Sequence, residues 1–193
     1  MISKEKEPEL MEIGVKDSKQ LSPRQRNEQF PKIKQALLEF GTCHINPKEL
    51  DVLMDWKSLN EIEAMKAGFL LNNLKQKPDV VYIDSPDVLQ ENFGKRIQKY
   101  LTFETKLKTE HKADVNYPIT SAASILAKVE RDAAIQTLAL EFGNIGSGYS
   151  HDPITRDFLF NFVKQNKTLP PFCRKSWDTS RQALETQLQQ KLF

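Results

Sequence analysis

Apolar positions recur at helical spacing along most of the 193-residue chain, and they condense into a short β-branched run at Val80-Val81-Tyr82-Ile83. That run, bounded by Pro78-Asp79 and Asp84-Ser85-Pro86, predicts a buried strand. Ser22-Pro23 predicts a helix start, since Ser caps and Pro favours the first helical position. This helix is expected to run toward Phe40 and stop at Gly41, with a kink at Pro31. An extended piece follows over residues 42–46, and Pro47 opens a brief helical turn. Ser58 caps a longer helix, Leu59 to about Leu74, with Ile62, Met65, Phe69 and Leu70 along one face. Another helix is expected over about 90–100, and alternation over 101–108 predicts a second strand. The longest helix is expected from Ser121 to Gly143, with Ala122, Leu126, Val129, Ala133 and Leu140 on one side. Further helices begin near Pro153 and near Asp178. Strands alternating with helices predict one α/β layered domain with a mostly parallel sheet, entered through a helix.

Composition narrows the class. With 39% hydrophobic and 28% charged residues, a chain of this length can bury roughly two-thirds of its unfolded surface without staples. It has no run approaching the ~20 apolar residues of a membrane span. Residues 1–14 read as a charged leader, too acidic for an organellar presequence and without a secretory apolar core. Cys43 and Cys173 are far apart and lack CxxC spacing, which excludes a disulfide framework or zinc knuckle and fits a cytoplasmic chain with two reduced thiols. Net charge is only +2. Its basic residues nevertheless cluster at Lys16, Lys19, Arg24, Arg26, Lys32 and Lys34, and again at Lys164, Lys167, Arg174, Lys175 and Arg181. Both clusters suit local contact with a polyanion, and both are also ordinary solvated faces.

Four places carry candidate chemistry. Asp84 follows the apolar strand, where open α/β sheets gather ligands, although an Asp there also serves as a turn former. Asp114, in His111-Lys112-Ala113-Asp114, would complete a hard-cation pair if it lay near Asp84; alone, the segment reads first as a surface loop with an ordinary ion pair. Ser121, Ser124, Lys128 and Arg131 fall at steps of three and four on the long helix. They form a polar stripe with the makings of a phosphate cradle, or a plain cap. Gly146-Ser147-Gly148-Tyr149 presents a Tyr in a flexible loop, suited to a sugar or serving only as a connector. His151 alone names neither a base nor a ligand.

Taken in order, six strings resemble the type 2 ribonucleases H (ribonuclease HII), most closely the archaeal branch. They are Val15-Lys16-Asp17-Ser18-Lys19-Gln20-Leu21-Ser22, Val81-Tyr82-Ile83-Asp84, and Glu110-His111-Lys112-Ala113-Asp114. Tyr117-Pro118 follows, leading into Ser121-Ala122-Ala123-Ser124-Ile125-Leu126-Ala127-Lys128-Val129-Glu130-Arg131-Asp132. Gly146-Ser147-Gly148-Tyr149 with Asp152-Pro153, and Pro170-Pro171 with Arg174-Lys175-Ser176-Trp177, complete the set. The resemblance implies an α/β ribonuclease H-like fold over residues 15–150 and a C-terminal helical region over 151–193. It implies cleavage of the RNA strand of RNA/DNA hybrids, or at ribonucleotides in duplex DNA, by metal-assisted attack of water on phosphorus. Mg²⁺ or Mn²⁺ would be held by four carboxylates, Asp84 and Asp114 among them. Lys19, Ser121, Ser124 and Lys128 would meet the nucleic acid backbone, and Tyr149 the 2′-OH. The family mostly works as a monomer.

One feature departs from the family pattern. The family's first strand carries Asp-Glu-Ala-Gly-Arg-Gly, whereas this sequence has no Asp-Glu dipeptide and no Gly-Arg-Gly. The expectation is that the N-terminal strands of the sheet and two of the four carboxylates are missing, and that the chain as written has little nuclease activity. Two alternatives stand beside the enzyme: a chain of the same descent that grips hybrids without cutting, and an unrelated α/β phosphate-binding protein.

Overall fold

The computed structural model describes residues 1–189. In chain order its elements are α1 (Glu7–Ile13), α2 (Pro23–Ala36), α3 (Pro47–Met54), α4 (Leu59–Asn72), β1 (Val80–Asp84), α5 (Gln90–Gln98) and β2 (Lys106–Glu110). α6 (Ala113–Asn116), α7 (Pro118–Phe142), α8 (Pro153–Asn166) and α9 (Asp178–Gln189) follow, with 3-10 turns at Lys4–Lys6 and Ser18–Gln20. Two compact units emerge. The first comprises Met1–Cys43 and Lys57–Glu130; the second comprises His44–Trp56 and the residues from Arg131 onward. The units divide at Glu130, and α3 groups with the C-terminal helices.

Within the first unit, β1 and β2 pair in parallel, from Val80 opposite Lys106 to Asp84 opposite Glu110. Alternation puts Ile83 and Leu107 on one face, where they pack with Ala64, Phe93 and Ile97. α4 starts where expected, with Ser58 Oγ accepting the Glu61 N–H at 3.3 Å. Its buried face is different, however. Ala64 and Gly68 are buried, while Phe69 is 58% exposed. The cause is close approach: a Cβ on Gly68 would lie 2.6 Å from Tyr100 Cβ, so only glycine lets α4 settle against the end of α5.

β2 begins five residues later than the alternation suggests. Asn72 Oδ1 accepts the Thr102 N–H at 2.9 Å and the Thr102 hydroxyl at 3.0 Å, which draws that segment to the end of α4 instead of into a ladder. Residues 42–46 form no strand. α2 opens with the expected cap, here a reciprocal box between Ser22 and Gln25, tolerates Pro31, and ends at Ala36 where Leu37 turns extended.

Residues 1–14, the charged leader, are folded. α1 ends at Gly14 in the left-handed conformation, and Leu10 is fully buried against Leu21, Ile33, Ala36, Ala122, Ile125 and Leu126. Ile2, Ile13 and Val15 pack around the same cluster, so a few apolar residues among many charges suffice to dock the segment. The fully buried apolar residues of α7 lie in its first turns, and Leu140 is 90% exposed.

The second unit builds its core from Leu159 and Val163 of α8 and Ala183 of α9, with Phe160, Leu169, Cys173 and Leu184 packed around them. α3 joins it through Asp51, which accepts the Lys175 and Ser176 N–H groups and the Ser176 hydroxyl. Among the described residues no helix is long and apolar enough to cross a membrane.

Truncating Leu10 to Ala is expected to destabilise the protein by about 2–5 kcal/mol. Met11→Ala, one residue on and 68% exposed, should stay within about 0.5 kcal/mol. Denaturant unfolding of the two variants checks the pair; equal small effects would mean that α1 does not belong to the core.

Candidate active site

Parallel pairing carries Asp84 and Glu110 to the same edge of the sheet. Beyond β2 the chain reverses through Lys112, whose φ of 57° lies in the left-handed region. The reversal aims the Ala113 N–H at Asp84, whose Oδ1 accepts it at 3.1 Å. A carboxylate from β1 thus supplies the cap that Lys112 cannot supply to α6. Asp114 follows at once, partly buried. Burial lifts its carboxyl above the ordinary range, the charges of Asp17 and Asp84 raise it further, and Lys19 partly offsets them. Asp84, Asp114, Asp17 and Lys19 therefore share one electrostatic neighbourhood.

The turn bearing Asp17 and Lys19 is held from below. Asp17 Oδ1 accepts the Lys19 N–H at 2.9 Å, closing a local turn. Arg26, only 6% exposed, donates to the Ser18 and Leu21 carbonyls. Ser18 Oγ and Ser124 Oγ lie 2.7 Å apart in a hydrogen bond. Lys19 itself stays exposed.

The serine stripe on α7 does different work from the expected cradle. α7 begins at Pro118, so the Ser121 N–H is bonded to the Tyr117 carbonyl and is not a free first-turn donor. Ser121 is 3% exposed, and its hydroxyl donates to the Asp114 carbonyl oxygen. Ser121 thus positions the segment that carries Asp114, and Ser124 positions the turn that carries Lys19. Ser121 is buried and Ser124 partly buried, and each hydroxyl has a hydrogen-bond partner within the protein. Lys128 is half-buried and engaged within the protein.

Glu110, level with Asp84, is committed elsewhere: its carboxylate accepts the Tyr117 hydroxyl at 2.5 Å. Among the described residues no group of three or more His, Cys, Asp or Glu side chains is arranged around a metal position. Asp84 and Asp114 nonetheless fit a hard divalent cation of the Mg²⁺ type, which takes one or two carboxylates and completes its shell with water and phosphate. The crowding of negative charge that raises Asp114 is what such an ion relieves. Sequence spacing misses Asp17 as a contributor to this field, because 97 residues separate it from Asp114 and only the folded turn brings them together.

Tyr149 lies in the second unit, 37% exposed. The Arg131 guanidinium carbon sits 3.9 Å from the centre of its ring, and the His151 ring stacks on it at 5.5 Å between centroids. Asp152 fixes the loop. Its carboxylate accepts the Ser147 N–H at 2.6 Å and the Ile154 N–H at 3.0 Å, and these bonds with the Ser147 and Thr155 hydroxyls hold its pKa down at about 2.

Residues 1–180 match the family model described as Ribonuclease HII. The chain is 42% identical to the Ribonuclease HII of Pyrococcus abyssi over 185 residues, covering 96% of this chain and 82% of that protein. The crystal structure of the ribonuclease H2 from Pyrococcus horikoshii OT3 matches with a TM-score of 0.90 at 42% identity, over 97% of this chain and 88% of that one. A crystal structure of Bst-RNase HIII in complex with Mn²⁺ shares the fold at 15% identity, with a TM-score of 0.76 over 97% of this chain and 63% of that one. The expected α/β ribonuclease H-like fold is the fold observed.

Removing one like charge should lower the pKa of its neighbour. In Asp84→Asn the Asp114 carboxyl is expected to titrate at lower pH than in the parent while remaining above the ordinary range, since burial is the larger cause. Carboxyl-carbon NMR across the acid range reads this directly, and an unmoved midpoint would separate the two residues.

Proposed function

The chain belongs to the ribonuclease HII family, and on that premise we propose that it cuts the RNA strand of RNA/DNA hybrids and duplex DNA at embedded ribonucleotides. Asp84 and Asp114 would hold Mg²⁺ or Mn²⁺, two ions in the full reaction. The observation that carries this reading is Asp84, at the carboxyl end of β1, accepting the N–H of Ala113 next to Asp114, with the Asp84 charge acting on the Asp114 carboxyl. When bound, such ions supply charge neutralisation at the attacked phosphate and lower the pKa of water.

The chain's own residues set the rest. Lys19, exposed beside the carboxylates, meets a backbone phosphate, and Lys128 adds positive potential along α7. Ser121 and Ser124 keep Asp114 and Lys19 in place. Tyr149 meets the 2′-OH, the group that tells RNA from DNA. The protein works as a cytoplasmic monomer with Cys43 and Cys173 reduced, and its place is in DNA replication and repair.

A second reading, a chain that grips hybrids without cutting them, is favoured by one observation: no third ligand joins the pair among the described residues. A cleavage assay on a duplex with one ribonucleotide, in Mg²⁺ or Mn²⁺, separates the two. The enzyme reading expects cutting that disappears in Asp84→Asn and in Asp114→Asn while duplex binding survives. Binding without cutting in the parent selects the second reading, and neither binding nor cutting rejects both.

Lys19→Ala is expected to weaken binding to hybrids of any sequence and to flatten the slope of log affinity against log salt by about 0.9. Fluorescence anisotropy at several salt concentrations measures it, and an unchanged slope removes Lys19 from the phosphate contact.

A further inference from the structure

We propose that Arg131 is a positioning residue that fixes the ring of Tyr149 for recognition of the ribose. This deepens the reading of Tyr149 given above and rests on it. The two residues are 18 apart in sequence, on α7 and in the loop that follows it, and they meet through a specific piece of packing.

Gly148 makes the contact possible. Its φ is +75°, and a Cβ there would lie 2.7 Å from Ile135 Cδ1 and 3.1 Å from Arg131 Nη2. The loop therefore rests on one face of α7, against Arg131 and the residue one turn further on, in a left-handed backbone conformation that favours glycine at position 148. The next residue is Tyr149. Its ring lies under the Arg131 guanidinium, 3.9 Å from ring centre to guanidinium carbon, a planar cation stacked on an aromatic face. Arg131 Nη1 also donates to Asp132 Oδ1 at 3.2 Å, which keeps the guanidinium from turning away. Further along, Asp152 ties the Ser147 N–H, and Thr155 Oγ1 accepts the Gly148 N–H at 2.9 Å. The backbone on either side of Tyr149 is thus fastened, and the guanidinium, together with the stacked His151 ring, bears on the orientation of the phenol ring.

A phenol held in this way presents its hydroxyl along a fixed direction, which discrimination of a single 2′-OH requires. Arg131 touches neither sugar nor phosphate in this assignment. It acts through Tyr149.

The test reads binding, not turnover. For the full chain, affinity is measured for a DNA duplex carrying one ribonucleotide and for the all-DNA duplex of the same sequence. Arg131→Ala is expected to reduce the ratio of the two affinities by about threefold to tenfold and to leave the salt slope unchanged. Arg131→Lys, which keeps the charge but not the planar stack, should recover only part of the ratio. In a Tyr149→Ala background, Arg131→Ala should change the ratio no further. A salt slope flattened by Arg131→Ala, or an equal loss in both backgrounds, would make Arg131 a phosphate contact in its own right and overturn the proposal.

NMR distinguishes failure of the underlying reading. If Tyr149→Ala keeps the parent ratio, Tyr149 does not read the sugar. Cross-peaks between the Tyr149 ring and the Arg131 side chain, with ring shifts that move in Arg131→Ala, would then still establish the positioning. Their absence would refute it.

Discussion

The parallel register of β1 and β2 is the constraint from which the candidate active site follows. A parallel pair needs a crossover, here through α5, and it brings the carboxyl ends of both strands to one edge. Asp84 ends β1 there, and the chain leaving β2 must turn sharply to place Ala113 within its reach. A one-residue slip in the register would move Asp84 to the opposite side of the sheet, among Ile83 and Leu107, where Phe93 and Ile97 pack. Apolar burial on that side therefore protects the placement of a carboxylate on the other. Stability and chemistry share the same alternation.

α7 turns this local arrangement into a defined site. Its first turns bury Ala122, Ile125 and Leu126 in the cluster that also receives Leu10 and Ile33, so the helix is anchored by apolar contact. Ser121 and Ser124, flanking that apolar strip, hold the Asp114 segment and the Lys19 turn by hydrogen bonds. A short hydroxyl suits this task, because it reaches only what the packing has already brought close. Later in the same helix, Arg131 and Ile135 serve the Tyr149 loop in the same manner. A polar stripe at helical spacing is thus consistent with a scaffold as well as with a ligand surface. The distinction lies in where each hydroxyl points.

The sequence shows some of this and hides the rest for identifiable reasons. β1, the caps at Ser22 and Ser58, and the starts of α8 and α9 are legible because short-range chemistry decides them. The true start of α7 is legible too, in Pro118 at a first helical position, but the serines three and six residues later draw the eye. Leu10 is not legible: its burial depends on partners as far along the chain as Leu126, and its neighbours are charged. The late start of β2 depends on Asn72, a single amide from another helix. Asp84 and Asp114 can be named from their motifs, whereas the part played by Asp17 cannot, since it exists only once the turn at Ser18–Gln20 is pinned by Arg26 and Ser124.

Electrostatics sets the condition under which these carboxylates could share a surface with the proposed nucleic acid. Burial lifts the Asp114 carboxyl, the charges of Asp17 and Asp84 raise it further, and Lys19 is the opposing cation nearby. A phosphodiester brought to the same place adds another negative charge in a partly desolvated setting, where like charges repel more strongly than in water. One ammonium on a flexible stem does not balance that sum. Hard cations held by Asp84 and Asp114 would supply the missing positive charge, so that each anion would favour the seating of the other. On the proposed function, ion and duplex should therefore bind cooperatively. The same reasoning explains why the overall charge of +2 is uninformative: the relevant balance is struck over four side chains, not over the whole chain.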